Sequence, residues 1–372
     1  MNRLKTNLVF ISLFILIYLL RLANLDSPLP PSWTVESKVG FTALILDLPD
    51  QTDSKTVIRN GRWTVYLRGI KQVEIGKTYK FVGNVKTKAL GGKIYKIEMI
   101  DPTFEIVNPE DQSELRCGER VIIALNLIRN KMITSLQEYL PEPQASLAAG
   151  ILLGAKAGFP NDFYQALINS GTLHIVAASG YNVNVVAGTV ISMLAGVVGR
   201  AAAIVIGGIS IAIYVLLTGA SAAVVRAGVM GGLILTASFL GRPVLGRRIF
   251  WLTAAIMMVV DPLIITEVGF LLSISAMGGL LYIQPVLEKW IKIKNILTGY
   301  FYPTLAATIA TLPVTYLVFG RVSMWGLFSN LLILPLIPLT MLLTTITLII
   351  PAAHYLLMVL LTWLVEVISW WR

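Results

Sequence analysis

The sequence predicts a polytopic α-helical membrane protein, with about nine membrane helices and one region that is re-entrant or broken, carrying a small β-barrel domain on the extracytoplasmic side. Three observations carry that prediction. Hydrophobic residues make up 56% of the 372 and charged residues 13%, against roughly a quarter charged in soluble domains. After residue 144 the chain is apolar almost to its end, in stretches near the roughly 20 residues that a bilayer crossing takes. Before that, residues 33–114 alternate polar and apolar between turn signals, the mark of short strands. One cysteine, Cys117, and two histidines, His174 and His354, supply neither a disulfide framework nor a zinc, iron–sulfur or other transition-metal centre. No cofactor is expected.

Residues 8–20 form an apolar run behind Arg3 and Lys5, suited to a signal-peptide core or a short anchor. The anchor, over residues 1–25, is favoured. No small-x-small cleavage signal follows cleanly, and Arg21 can snorkel so that Leu22 and Ala23 extend the span. Basic residues ahead of the run place the N-terminus in the cytoplasm of a cell with this protein in its inner, or plasma, membrane.

In the β domain, over 33–114, turn signals stand at Leu48-Pro49-Asp50, Asn60-Gly61, Ile75-Gly76 and Gly91-Gly92. Trp63, Val65 and Leu67 share one strand face while Arg62, Tyr66 and Arg68 share the other; Tyr79, Phe81 and Val85 likewise separate from Lys80, Val82, Lys86 and Lys88. About five short strands at this spacing suit an OB-like barrel. The net charge of +10 sits here: residues 55–96 hold eleven Lys and Arg against one acid, Glu74. Cations beside Trp63, Tyr66, Tyr79, Phe81 and Tyr95 are what single-stranded nucleic acid requires, phosphate neutralisation and ring faces for bases. Small barrels also fill their cores with such aromatics, and lysines also coat solvated surfaces. The nucleic-acid reading rests on Arg62, Tyr66, Arg68, Lys80, Lys86 and Lys88.

Residues 115–141 repeat Leu115, Val121, Ile122, Leu125, Ile128, Met132 and Leu136 at helical spacing among basic residues, predicting an amphipathic helix in the membrane interface that Pro141 and Pro143 end. Membrane helices are expected near 183–199, 201–217, 222–240, 249–260, 266–284, 301–318, 326–348 and 352–371, within a channel domain at 145–372. Loop cations at Arg200, at Arg242, Arg247 and Arg248, and at Lys289, Lys292 and Lys294 fall on one side if each segment crosses once. That alternation puts the C-terminus outside the cell.

Residues 145–186 are unusually polar and glycine-rich for a membrane segment, a backbone tolerated at depth only where protein or water satisfies it. Asn169 lies in this stretch. A helix through 173–186 places His174, Ala178 and Asn182 along one face with Ser179 adjacent, either as a pore stripe or as interhelical hydrogen bonding. Arg226 falls in the first turns of an apolar helix, where a cation must face water, an anion or carbonyls, or snorkel to the interface. Asp261 and Glu267 are read as helix caps.

Gly150-Ile151-Leu152-Leu153-Gly154, residues 170–180 (Ser-Gly-Thr-Leu-His-Ile-Val-Ala-Ala-Ser-Gly), residues 218–227, Asp261-Pro262 with Val268-Gly269-Phe270-Leu271-Leu272-Ser273, and residues 330–335 occur in an order that resembles the ComEC family, the inner-membrane channel of bacterial DNA uptake in natural transformation. The resemblance implies passage of single-stranded DNA, an external DNA receptor and a cytoplasmic helicase-type ATPase. Family members typically carry a second histidine where this chain has Asn182. Many continue into a metallo-β-lactamase-like domain, whereas no His-x-His-x-Asp-His cluster occurs here; a translocation channel rather than an enzyme is expected, with any nuclease on another polypeptide. No Gly-x-x-x-x-Gly-Lys-Ser/Thr signature appears, so pulling falls to a separate motor. Broken helices with intramembrane polar groups also suit a small-molecule or ion transporter, which predicts inverted repeats that are not found and does not require the basic barrel.

Overall fold

The structure is a computed structural model and describes residues 14–15, 17–18, 38–46, 50–52, 55–60, 63–69, 73–90, 93–107, 117–155, 158–176, 180–291, 298–320 and 325–371. They divide into a sheet unit, which includes the helix after the sheet, and a helical unit made of Gly150–Gly154 and the helices beyond residue 162.

Seven strands build the sheet: β1 (Lys38–Leu44), β2 (Asp50–Thr52), β3 (Lys55–Asn60), β4 (Trp63–Arg68), β5 (Thr78–Leu90), β6 (Lys93–Ile100) and β7 (Thr103–Ile106). Their order is β1-β5-β6-β4-β3-β2, with β7 also on β5. Only β4 with β6 is parallel among these pairs. The 13-residue β5 curls the sheet into a half-barrel: its first half pairs with β1 and β7, its second with β6. Gly83 stands where the partners change, and a Cβ there would lie 2.8 Å from Cβ of Pro102. About five strands were expected; β2 and β7 have three and four residues, too few for a period of two to register. The predicted alternation holds at β4 and β5, where Val65, Leu67, Tyr79, Phe81 and Val85 join Ala43, Ile45, Ile58, Ile97 and Met99 in one apolar core.

Helix α1 (Cys117–Tyr139) lies within the predicted amphipathic segment, but its buried side differs from the expected stripe. Asn126, Arg129 and Leu136 are buried while Val121 and Ile128 are exposed. The Asn126 amide donates to the Leu46 carbonyl at 2.8 Å, and Ile123 lies over Gly76, so contact with the sheet unit rather than apolar periodicity sets the buried face.

The chain continues through α2 (Gln144–Leu153), whose last four residues belong to the helical unit, then α3 (Asn161–Asn169), α4 (Leu173–Val176), α5 (Gly180–Val198), α6 (Arg200–Leu217), α7 (Ala222–Phe239), α8 (Gly246–Val260), α9 (Val268–Gly278), α10 (Gln284–Trp290), α11 (Thr298–Phe319), α12 (Gly326–Ile333), α13 (Ile337–Ile349) and α14 (His354–Ser369). A π turn, Gly279–Ile283, joins α9 to α10 into one 23-residue span, and a 3-10 turn at Leu334–Leu336 joins α12 to α13. Among the described residues seven helices are long and apolar enough to cross a membrane. Of the other crossings expected, α8 has 15 residues, short of a straight crossing. The anchor lies mostly outside the described residues; within it Phe14, Ile15, Ile17 and Tyr18 are helical, and the Tyr18 hydroxyl donates to the Pro262 carbonyl at 3.1 Å.

Helices α9 and α11 meet where Gly279 faces the backbone of Ala306, and a Cβ on Gly279 would lie 2.4 Å from the Ala306 carbonyl oxygen. Backbone cannot yield as a side-chain tip does. Gly279→Ala is expected to cost about 1–3 kcal/mol, read as a lower Tm in detergent. Gly188→Ala inside α5, where nothing lies within 4 Å, does not lower Tm.

Candidate translocation site and nucleic-acid interface

Helix α2 stops at Leu153 because Gly154 takes a φ of 65°, a left-handed conformation that glycine adopts without steric cost. A helix end orphans its last carbonyls. Here two are met by side chains from other helices: Asn182 Nδ2 donates to the Ile151 carbonyl and the Tyr214 hydroxyl to the Leu152 carbonyl, both at 2.8 Å and both buried. Tyr214 and its neighbours Val183, Ala187, Ile211, Val224 and Ala227 form one apolar cluster, which fixes α5, α6 and α7 around the broken helix. The next break is closed locally, with Ser170 and Thr172 hydroxyls 2.7 Å apart and buried, and Gly171 at φ 69°.

Of the residues expected to line a path, His174 is exposed on α4 with Nδ1 3.0 Å from the Gly171 carbonyl, which makes Nδ1–H the donating tautomer. Asn169 is exposed at the end of α3. Asn182 is instead buried on α5, its amide spent on Ile151. Ser179 and Ala178 lie outside the described residues.

Arg226 on α7 is 6% exposed, so it is buried among helices and does not snorkel. Its Nε donates to Ser273 Oγ on α9 at 2.6 Å and its Nη1 to Met230 Sδ at 3.3 Å. Among the described residues it has no carboxylate partner, and these two bonds leave three of its five N–H donors unspent. Beside Nη2 lies Gly180, the first residue of α5; a Cβ there would be 3.5 Å from Nη2 and 3.1 Å from Cβ of Ala227. Three separated motifs, at Gly180, Arg226 and Ser273, thus meet at one buried cation. Two further polar groups are buried on α12: the described residues give no partner to Ser329 Oγ or Asn330 Oδ1. No group of three or more His, Cys, Asp or Glu is assembled among the described residues.

Tyr214 is the residue that the sequence reading missed. Its signal was a single tyrosine at the end of an otherwise aliphatic helix. Ser273 was noted as a small packing residue only, and its hydroxyl turns out to be the acceptor for Arg226.

On the sheet, Tyr79 and Phe81 are core residues at 2% and 0% exposure, which removes them as stacking platforms and corrects the reading that counted them. Their rings lie 6.2 Å apart, each near Phe104. Tyr66 remains half-buried with Arg68 exposed beside it on β4. Arg62 lies outside the described residues. Lys80 and Lys86 are exposed on β5, yet the register sets Lys80 opposite Glu105 and Lys86 opposite Glu98. Elsewhere the register places Lys88 opposite Lys96 and Lys55 opposite Arg68. The lone acid of residues 55–96, Glu74, is engaged by Lys77 at 2.7 Å, which holds the Lys77 pKa above its ordinary value, chiefly through that hydrogen bond.

Comparison with known proteins adds two findings. A family model described as competence protein matches residues 151–372. ComE operon protein 3 of Bacillus subtilis (strain 168) is 24% identical over 209 residues, which cover 56% of this chain and 26% of that relative. The chain thus spans about a quarter of the length of the curated relative it matches. No solved structure matches.

Removing the donor to a buried carbonyl strands that carbonyl. Asn182→Ala is expected to lower stability by about 1 kcal/mol, and Tyr214→Phe by a similar amount. Thermal unfolding in detergent reads both, and the double variant should lose more than either single one.

Proposed function

The chain belongs to the competence protein family, and from that premise we propose that it is a membrane channel through which one strand of DNA enters the cytoplasm during natural transformation. The observation that carries this reading is Arg226: a guanidinium buried between apolar helices, without a carboxylate partner among the described residues and with donors unspent. A charge at that depth is costly, and it pairs with carbonyls, water or an anion. Phosphates of a passing strand are such an anion, and a planar fork suits them. Gly180 lets the α5 backbone come close to Nη2: a Cβ there would stand 3.5 Å from it.

The sheet unit, taken as an extracytoplasmic OB-like module, supports the reading through exposed Arg68, Lys80 and Lys86, cations for phosphates, with the half-buried Tyr66 beside Arg68 on β4. An external DNA receptor would deliver the strand and a cytoplasmic helicase-type ATPase would pull it.

Entry of labelled DNA into the cytoplasm of a deletion strain, complemented in turn by each variant, tests the channel. Arg226→Ala is expected to reduce entry by at least about tenfold, the order of a lost charge-assisted contact, and Arg226→Lys to restore part of it. Full uptake by Arg226→Ala, with loss of transport of a small solute instead, would transfer the assignment to the transporter class. The sheet is tested on the full chain in detergent with oligo-dT. Binding should weaken with salt, and Arg68→Gln and Lys88→Gln should each lower the log–log salt slope by about 0.7. Lys80→Gln and Lys86→Gln, already opposite acids, should change it less.

A further inference from the structure

Helices α6 and α7 pair antiparallel along a glycine-lined seam. Val215 fills the space over Gly228, Ile211 that over Gly231, and Gly208 lies against Leu235. Toward the end of the pair the seam opens. Ile204, Val205 and Gly208 of α6 and Gly232, Leu235 and Phe239 of α7 line an apolar groove of about 290 Å³. Its one hydroxyl, on Thr236, is turned back to the Gly232 carbonyl at 2.8 Å and offers the groove no donor. Continuing the same pairing brings Arg200, at the first turn of α6, level with Arg242, just past α7. Both are exposed, as are Arg247 and Arg248 nearby in sequence, and residues 199–260 contain no Asp or Glu.

We propose that this face binds an anionic phospholipid, one acyl chain lying in the α6–α7 groove and the headgroup phosphate held between Arg200 and Arg242. An apolar slot ending at a cationic rim matches an amphiphile with a negative head. A second copy of the chain fits less well. Copies inserted in the same orientation bring their cationic rims to the same level, where they repel. Free phosphate has no use for the groove, and a zwitterionic lipid brings a cation of its own to the rim.

The test uses the purified full chain in detergent, titrated with phosphatidylglycerol, with phosphatidylcholine or with inorganic phosphate, and bound lipid is counted by native mass spectrometry. The expected result is retention of phosphatidylglycerol at about tenfold lower concentration than phosphatidylcholine. Arg200→Gln with Arg242→Gln, two exposed positions, abolishes the preference. Gly232→Leu, whose side chain enters open groove space, removes one bound lipid of either kind; if that variant fails to fold, the arginine pair decides alone. Equal retention of the two lipids by the wild type overturns the proposal, as does a preference that survives the arginine substitutions. Displacement of phosphatidylglycerol by equimolar phosphate overturns it too, and so does a wild type that runs as a dimer and becomes monomeric in Gly232→Leu, which assigns the groove to a second copy.

Discussion

A peptide carbonyl at bilayer depth has no water to accept from, so a membrane helix that breaks must find its hydrogen bonds in the protein. The helical unit is arranged around one such break. α2 ends at Gly154, and the two carbonyls exposed there are met by Asn182 of α5 and Tyr214 of α6. Those bonds tie the break to the apolar cluster holding α5 and α6 against α7, the helix that carries Arg226. The helix that carries the buried cation is thus packed against the two helices that satisfy the backbone end.

The sheet solves a related electrostatic problem by register. A strand with many lysines repels its neighbours unless acids are interleaved, and here the acids come from β6 and β7 rather than from the cationic stretch. Lys86 and Lys80 face Glu98 and Glu105, and the Arg68 N–H donates to Asp101 Oδ1 at 3.2 Å. The acids of β6 and β7 thereby offset part of the charge that residues 55–96 carry.

This difference marks what the sequence made legible. Alternation in β4 and β5, the two-residue connections implied by Asn60 opposite Trp63 and Leu90 opposite Lys93, and the apolar runs of the long helices are local signals, and each was recovered. Arg226 was legible too, because an arginine in an apolar helix is improbable without a role. Partners were not. Nothing within β5 announces that Lys86 will meet Glu98, and nothing in α9 distinguishes Ser273 as an acceptor from Ser275 as a helix surface. Tyr79 and Phe81 were misread for the same reason: alternation assigns residues to a face, and only closure of the sheet decides which face is the core. Asn182 was read either as a member of a stripe with His174 or as an interhelical hydrogen bond, and its amide is claimed by a carbonyl 31 positions away, the second of the two.

On the proposed reading, a conduit for a polyanion has to hold each phosphate strongly enough to offset its lost hydration and weakly enough to release it to the next position. A ring of cations would trap the strand. One guanidinium, with part of its donor set already satisfied by Ser273 and Met230, gives a shallower hold, and the backbone of Gly180 rather than a movable side chain lies beside its Nη2. The same reasoning explains a single buried cation among the described helices beyond residue 162, where the sheet carries many exposed ones. Capture outside benefits from several weak contacts acting together, whereas passage inside requires that no single contact be strong.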